Sequence, residues 1–292
     1  MIPAPFEYYA PKSLEEALRM LERHGNEAKV LAGGHSLLPL MKLRLAAPRY
    51  VIDIGRLRGL DSIREENGRI VIGARATHAA IEGSALVRAK CPLLAETAAQ
   101  IGDVQVRNCG TLGGSLAHAD PAADYPAAIL ALDAETTAAS TSGQRVIRAA
   151  EFFVDLLATA LRPGEILTEV RVPVDAAHTG SSYCKLHQAA SGFAVVGVAA
   201  LLTLGKGGKI EAVAVGVTGV AAKAYRAAAV EKALRGKKAS PQRLAEAASR
   251  AGQGIEPLAD LHASAEYRRE MAVVMTRRAL ERALARAQGK KA

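Results

Sequence analysis

Cysteine is scarce in this chain. Its 292 residues include three, Cys91, Cys109 and Cys184, far apart, odd in number and with no C-x-x-C pair among them. That pattern argues against a disulfide framework, a structural zinc site or an iron–sulfur cluster held by this chain alone. Long apolar runs are missing as well. FAVVGVAALLTL, from Phe193, is the longest and is too short to span a bilayer, while MIPAPFEYYAPKS at the start has neither the basic nor the apolar segment of a secretion signal. The expectation is a cytoplasmic protein, free or at the inner face of the membrane. Nucleotide fingerprints are absent too: there is no G-x-G-x-x-G followed by an acid and no G-x-x-x-x-G-K-[ST], so neither a Rossmann dinucleotide fold nor a P-loop is the natural reading.

Charge bias is missing from most of the chain. The formal net charge is +9, yet residues 1–222 carry 22 Lys and Arg against 22 Asp and Glu, and the whole excess, 16 against 7, falls in residues 223–292. Such a bias suits an acidic partner, a nucleic acid or a membrane surface. Here the basic residues are spread along amphipathic helices and not interleaved with aromatics, which favours solvated helix faces or docking on an acidic partner over nucleic-acid binding.

What is present is a large apolar fraction, 50% of residues, enough for two or three compact units. SLEEALRMLERHG predicts a helix capped by Ser13, with Glu16 in capping-box position and Gly25 as its stop. AKVLAGG reads as a buried strand ending in a glycine pair, SLLPLMKLRL as a short helix capped by Ser36 with Pro39 near its start, and RYVIDI as a strand. A second unit runs through the strand RIVIGARAT, one or two helices from Thr77 to Ile101, and strand-like pieces around AETTAAS, RVIRAAEFF and EILTEVRVPV. Near residue 175 the pattern changes to an antiparallel meander, SSYCKLHQ, FAVVGVAALLTL and IEAVAVGVTGV. After Ala221 it reads as helical to the end. The fold class expected is α+β.

Two glycine pairs stand out, AGGHS at 32–36 and GTLGGS at 110–115, each after a segment that could be a strand. A glycine pair exposes successive N–H groups with no Cβ in the way, so an anion can approach the backbone, and a following helix adds its positive end. One such segment is weak evidence and is also explained by a tight turn. Two suggest a ligand with two phosphates. His35 and His118 lie beside them and with Asp120 could be imagined as a metal site, but histidines at a phosphate turn more often donate to the ligand or cap the helix, and two ligands without a defined third are not a site.

LAGGHSLLPLMKLRLAAP together with VQVRNCGTLGGSLAHADPAADYPAAILAL resembles the FAD-binding medium subunits of the molybdenum hydroxylases, the carbon monoxide dehydrogenase and xanthine dehydrogenase group. The resemblance runs the whole length, through YCKLHQAASGFAVVGVAALLTL to AEYRREMAVVMTRRALERAL. It implies a flavin domain of the vanillyl-alcohol-oxidase type in two α+β subdomains, residues 1–57 and 58–175, and a C-terminal domain, 176–292, of a three-stranded antiparallel sheet and helices. By the resemblance Ala32, Gly33, Gly34, His35, Ser36 and Leu37 form one pyrophosphate segment of a noncovalent FAD site, and Thr111, Leu112, Gly113, Gly114 and Ser115 the other. Ile101 and Val106 line the flavin side, and His118 lies beside the second segment. Asp124 accepts from a ribose or ribityl hydroxyl, Leu167 contributes backbone, and Lys185 lies near the cofactor. Phe193 stands where the group commonly has tyrosine, and Ser115 where it commonly has asparagine, so each loses a hydrogen-bonding group.

The resemblance further implies that this chain does not itself oxidise the substrate. A large subunit would carry molybdenum and its pterin, a small one 2Fe–2S clusters, and FAD here would pass electrons to an external acceptor, quinone or NAD, in a dimer of heterotrimers. The cysteine census agrees, and no acid–base pair or nucleophile stands out, as expected where a cofactor carries the chemistry. Two other readings remain: a stand-alone flavin oxidase or reductase of the same fold, and a basic nucleic-acid or regulatory module.

Overall fold

The computed structural model describes residues 1–290; positions 291 and 292, the end of the third expected unit, lie outside the described residues. The first sheet is parallel, with β1 (Glu7–Tyr9) and β2 (Ala28–Leu31) on either side of β3 (Tyr50–Asp53). Between β1 and β2 runs α1 (Leu14–His24). Ser13 Oγ accepts the Glu16 N–H at 3.1 Å, but the Glu16 carboxylate returns to the Lys12 N–H, at 2.7 Å, one residue before the capping-box position. Ala17, Leu18 and Leu21 of α1 pack on Ile52, Ile54 and Leu57 in a small core. After β2 comes α2 (Leu37–Lys42).

The second sheet is antiparallel, in the order β4 (Ile63–Glu66), β5 (Arg69–Gly73), β10 (Ile166–Pro173), β6 (Glu135–Ser140), β7 (Gly143–Arg148). Six helices separate β5 from β6. The stretch expected to hold one or two helices holds three, α3 (His78–Gly83), α4 (Ala85–Lys90) and α5 (Pro92–Ala99), because Ser84 caps α4 and Pro92 denies its predecessor a helical backbone. Then follow α6 (Val104–Cys109), α7 (Leu112–His118) and α8 (Tyr125–Ala131). Past β7 the chain makes α9 (Ala149–Phe152) and the small hairpin β8 (Phe153–Asp155) and β9 (Ala158–Thr159) before entering β10.

The third sheet is an antiparallel meander of β11 (Thr179–His187), β12 (Ala194–Leu204), β13 (Ile210–Thr218) and β14 (Tyr225–Arg226). Three strands were expected. The fourth, two residues long, forms because Arg226 is held by Glu231 at 2.6 Å, Asp133 at 2.8 Å and the Leu130 carbonyl at 2.9 Å, which keeps that segment extended. Helix therefore resumes at α10 (Ala228–Leu234), later than the sequence suggests, and continues in α11 (Pro241–Ala248) and α12 (Ala265–Ala287).

This sheet is covered on both faces. Tyr183, Ala199 and Ala214 belong to the same core as Leu93, Ile129 and Val170 of the second unit, whereas Cys184, Val198, Val213 and Val215 pack with Ala272, Ala279 and Leu280 of α12. The near-continuous apolar run of β12 is the signature of a strand buried on both sides, not of a membrane span. Among the described residues no helix is long and apolar enough to cross a membrane. Glycine lets each helix approach: a Cβ on Gly180 would enter the α12 backbone at Ala283, and one on Gly216 would enter the α8 backbone at the Ala127 carbonyl. Some of the C-terminal positive charge is spent inside, since Arg268 is 2% exposed and Arg286 bonds Glu96 at 2.5 Å.

Gly216→Ala is expected to cost about 1–3 kcal/mol, because backbone on both sides of the contact must move. Gly83→Ala, whose Cβ would meet nothing within 4 Å, is the control and should cost nothing. Urea denaturation of the two variants checks this.

Candidate functional site

Strand β2 runs out into Ala32–Ser36 and α2 begins at Leu37. Gly34 has φ +76°, in the left-handed region that favours glycine. A Cβ on Gly33 would run into the Cys109 carbonyl and stand 2.9 Å from the Gly110 Cα, so the segment packs directly on residues far along the chain. The expected capping bond from Ser36 is not made. Its backbone is already helical, φ −105° and ψ −51°, where a capping residue is normally extended. Nor does any N–H from Ala32 through Leu37 find an acceptor among the described residues. Six successive backbone donors in a half-buried turn are left to solvent or to an outside anion. His35 Nε2 lies 3.2 Å from the Gln105 carbonyl and ties this turn to α6.

The second glycine segment is built differently. A helix, α6, capped by Asp103, precedes it where a strand was expected. Thr111 caps α7 and its Oγ1 accepts the Gly114 N–H at 3.1 Å. The N–H groups of Leu112, Gly113 and Ser115 donate to the carbonyls of Ala76, Ala74 and Thr111 at 3.0, 2.8 and 3.0 Å. Of this segment only the Thr111 N–H lacks an acceptor among the described residues. Gly113 serves packing, since its Cβ would stand 2.5 Å from that of Ala74. Leu112 is buried, Gly114 is exposed, and Ser115 and His118 are half-buried on the same helix. The two segments therefore meet through Gly33 and the Cys109–Gly110 turn, but only the first offers a row of donors.

Ile101 ends the α5 turn, and its carbonyl and that of Gly102 accept from Arg107 at 3.2 and 3.1 Å, with Arg107 paired to Glu82 at 2.9 Å. Val106 packs where Gly102 has no Cβ. Phe193 is 42% exposed at the β11–β12 turn, and Gly192 beside it faces Gly102. Leu167 is buried in β10, where the pairing register with β6 shifts between Leu167 and Glu169.

Asp124 and Lys185 lie deeper than the sequence suggests. Tyr183 Oη donates to Asp124 Oδ1 at 2.5 Å and Lys185 Nζ to Oδ2 at 2.8 Å, with the lysine and aspartate side chains 2% and 4% exposed. The Lys185 ammonium also donates to the Gln100 carbonyl at 2.9 Å, and the Gln100 amide to the Tyr183 carbonyl at 3.1 Å. Burial pushes the Asp124 carboxyl up while Lys185 pulls it down, and burial pushes the Tyr183 phenol well above its usual range. In this structure the carboxylate joins two units rather than facing a cleft.

Sequence reasoning missed Gln100, Tyr183 and His78. Of these, His78 stands against the turn that joins the glycine segments: its backbone N–H donates to the Gly110 carbonyl at 3.0 Å. Burial, with His35 and Arg107 adding to it, holds its imidazole neutral, with a pKa lowered to about 4. Its Nδ1 and the Oη of Tyr125 are buried without partners. The only signal was its place directly after the helix cap Thr77, which says nothing about a turn 33 residues on. Among the described residues there is no group of three or more His, Cys, Asp and Glu that could hold a metal ion.

Known proteins resemble this chain along nearly its whole length. Residues 4–175 match the family described as FAD binding domain in molybdopterin dehydrogenase, and residues 181–283 the family described as CO dehydrogenase flavoprotein C-terminal domain. The chain is 42% identical over 286 residues to a carbon monoxide dehydrogenase medium chain of Hydrogenophaga pseudoflava, covering 98% of this chain and 99% of that one. It is 39% identical to the alpha subunit of a 6-hydroxypseudooxynicotine dehydrogenase complex of Paenarthrobacter nicotinovorans, covering 98% and 97%. A solved carbon monoxide dehydrogenase structure from Hydrogenophaga pseudoflava superimposes with a TM-score of 0.95 at 44% identity, covering 98% and 99%.

Two outcomes are expected. Lys185→Met leaves the Asp124 carboxylate buried without its cation and should lower stability by about 3–5 kcal/mol in urea denaturation. For His78, the unfolded chain takes up a proton near the ordinary value of 6.5 and the folded chain only at about 4. Its contribution to stability is therefore neutral above about pH 6.5 and increasingly unfavourable as pH falls towards about 4. His78→Phe should flatten that part of the stability-against-pH curve, and a parallel curve would show that His78 is not the titrating group.

Proposed function

The chain belongs to the FAD-binding subunits of the molybdopterin dehydrogenases, being the FAD subunit of a molybdenum hydroxylase and thus part of an oxidoreductase, and from this we propose that it relays electrons. In this reading it carries FAD between a small subunit with 2Fe–2S clusters and an external acceptor, quinone or NAD. A large subunit holds molybdenum and its pterin, and the assembly is a cytoplasmic dimer of heterotrimers. Three cysteines without cluster spacing support the placing of the clusters elsewhere.

One observation carries the cofactor assignment to residues: the unpaired N–H row from Ala32 to Leu37, opened by Gly33 and Gly34. It matches the need of a pyrophosphate, an anion with many acceptor oxygens and no donors. These six residues would hold that group. The Thr111 N–H and the Leu112–Ser115 segment would close its other side, more by shape than by donation. Ile101, Val106 and Phe193 would wall the apolar ring system, Leu167 would contribute backbone, and His118 would flank the second segment. Asp124 and Lys185 would act by fixing the turn at Gln100–Ile101. Bound FAD supplies two-electron redox chemistry that no side chain here has, and the protein supplies position and the exclusion of water. Exposed Arg277 and Arg278 on α12 are proposed as a contact with an acidic partner face.

The relatives are named for different substrates, carbon monoxide and 6-hydroxypseudooxynicotine among them, while this chain is similar to each along nearly its whole length. That supports leaving substrate choice to the molybdenum subunit.

The purified chain should show flavin absorbance, and its apoprotein should quench FAD fluorescence on titration. Gly34→Val forces a side chain into φ +76° and against Leu38, and should weaken FAD binding by at least about tenfold through lost charge-assisted hydrogen bonds. Ser115→Ala, whose N–H is already bonded to Thr111, should stay within about threefold of wild type. No flavin in the chain, or equal losses in both variants, would count against the assignment.

A further inference from the structure

His78 belongs to neither glycine segment, yet it lies beneath the turn that joins them. Its ring occupies the side of Gly110 where a Cβ would point: that atom would stand 2.5 Å from His78 Nε2. On another side of Gly110 is Gly33, whose own Cβ would stand 2.9 Å from the Gly110 Cα. Imidazole, glycine and glycine thus form successive layers with no side chain on either glycine to cushion them. Tyr125 backs the imidazole, its ring centroid 5.3 Å away and tilted by 58°. Neither His78 Nδ1 nor Tyr125 Oη has a hydrogen-bond partner, although both are buried. Phenylalanine at either position would spare the core that cost, so stability alone does not account for the pair.

We propose that His78 is a positioning residue for the donor row: its ring, backed by Tyr125, sets how closely Gly110 approaches Gly33 and so fixes the direction of the N–H groups from Ala32 to Leu37. The inference rests on the reading that this row holds the FAD pyrophosphate. His78 acts through Gly110 and not by touching the cofactor. A smaller side chain lets the Cys109–Thr111 turn sink towards Tyr125, and the first glycine segment loses the surface on which Gly33 rests. What counts is the flat shape of the ring, which stands between Gly110 and Tyr125.

Three variants of the full chain test this: His78→Ala, His78→Phe and, as a control in the same core, Ile147→Ala. Each apoprotein is titrated with FAD and melted. Amide exchange is followed without FAD at Gly110 and Leu112, whose N–H groups bond the Val106 and Ala76 carbonyls. His78→Ala should exchange faster at both amides and bind FAD at least about tenfold more weakly, in keeping with the steep cost of a misplaced binding group. His78→Phe should bind within about threefold of wild type and melt at a higher temperature, because the unpaired Nδ1 is gone. Ile147→Ala should melt lower and bind FAD as wild type does. Wild-type FAD affinity in His78→Ala overturns the proposal, as does an equal loss in Ile147→Ala, or a His78→Phe chain that binds as poorly as His78→Ala. If the wild-type chain takes up no FAD, the pyrophosphate reading falls, and the exchange measurement alone decides the role of His78: unchanged exchange in His78→Ala overturns it.

Discussion

The buried ion pair between Asp124 and Lys185 is the constraint on which the arrangement of the molecule depends. It stands between α8 of the second unit and β11 of the third, and neither charge can stay there alone. Lys185 reaches on to the Gln100 carbonyl and Gln100 back to Tyr183, which closes a ring of polar contacts around the turn leading to Ile101. Backbone groups extend the junction: the Ala194 N–H donates to the Ala122 carbonyl, the Gly219 N–H to that of Pro121, and the Thr218 hydroxyl to Pro121 and Ala123. A hydrophobic interface alone would tolerate sliding, whereas this ring fixes one register.

Two segments that look alike on paper do different physical work. AGGHS ends a strand and turns with a left-handed glycine, so its donors stay unpaired. TLGGS begins a helix whose first N–H groups are absorbed by Ala74, Ala76 and Thr111. The difference comes from what precedes each segment and from Thr111, whose hydroxyl accepts the Gly114 N–H. Composition could not separate them, because the glycine pair is common to both.

Much of the architecture was legible. The helix over Ser13–Gly25, the strand before AGGHS, the change of pattern near 175 and the meander after it all follow from periodicity and turn chemistry, which act locally. The helix count after Thr77 was not, because a cap at Ser84 inside an apolar pattern is a weak signal. The strand β14 depends on Arg226 finding Asp133, 93 residues away, and no local rule anticipates that. At the candidate site the residues of the first segment were readable from their lack of side chains. His78, Gln100 and Tyr183 were not, because each owes its place to a partner distant in sequence. The basic C-terminal stretch read as surface, yet Arg226, Arg268 and Arg286 face inward, where their charges are met by carbonyls and acids from elsewhere in the chain.

The strand β12, walled in on both sides, also sets an order of events during synthesis. The ribosome releases the second unit before Tyr183, Ala199 and Ala214, yet those three side chains belong to that unit's own core. The amino-terminal three fifths of the chain therefore emerge with an unfilled apolar surface and wait for the meander to arrive and seal it. A nascent chain stalled before β11 leaves that wall open. The approach of Gly192 to Gly102 likewise waits until the β11–β12 turn has been made.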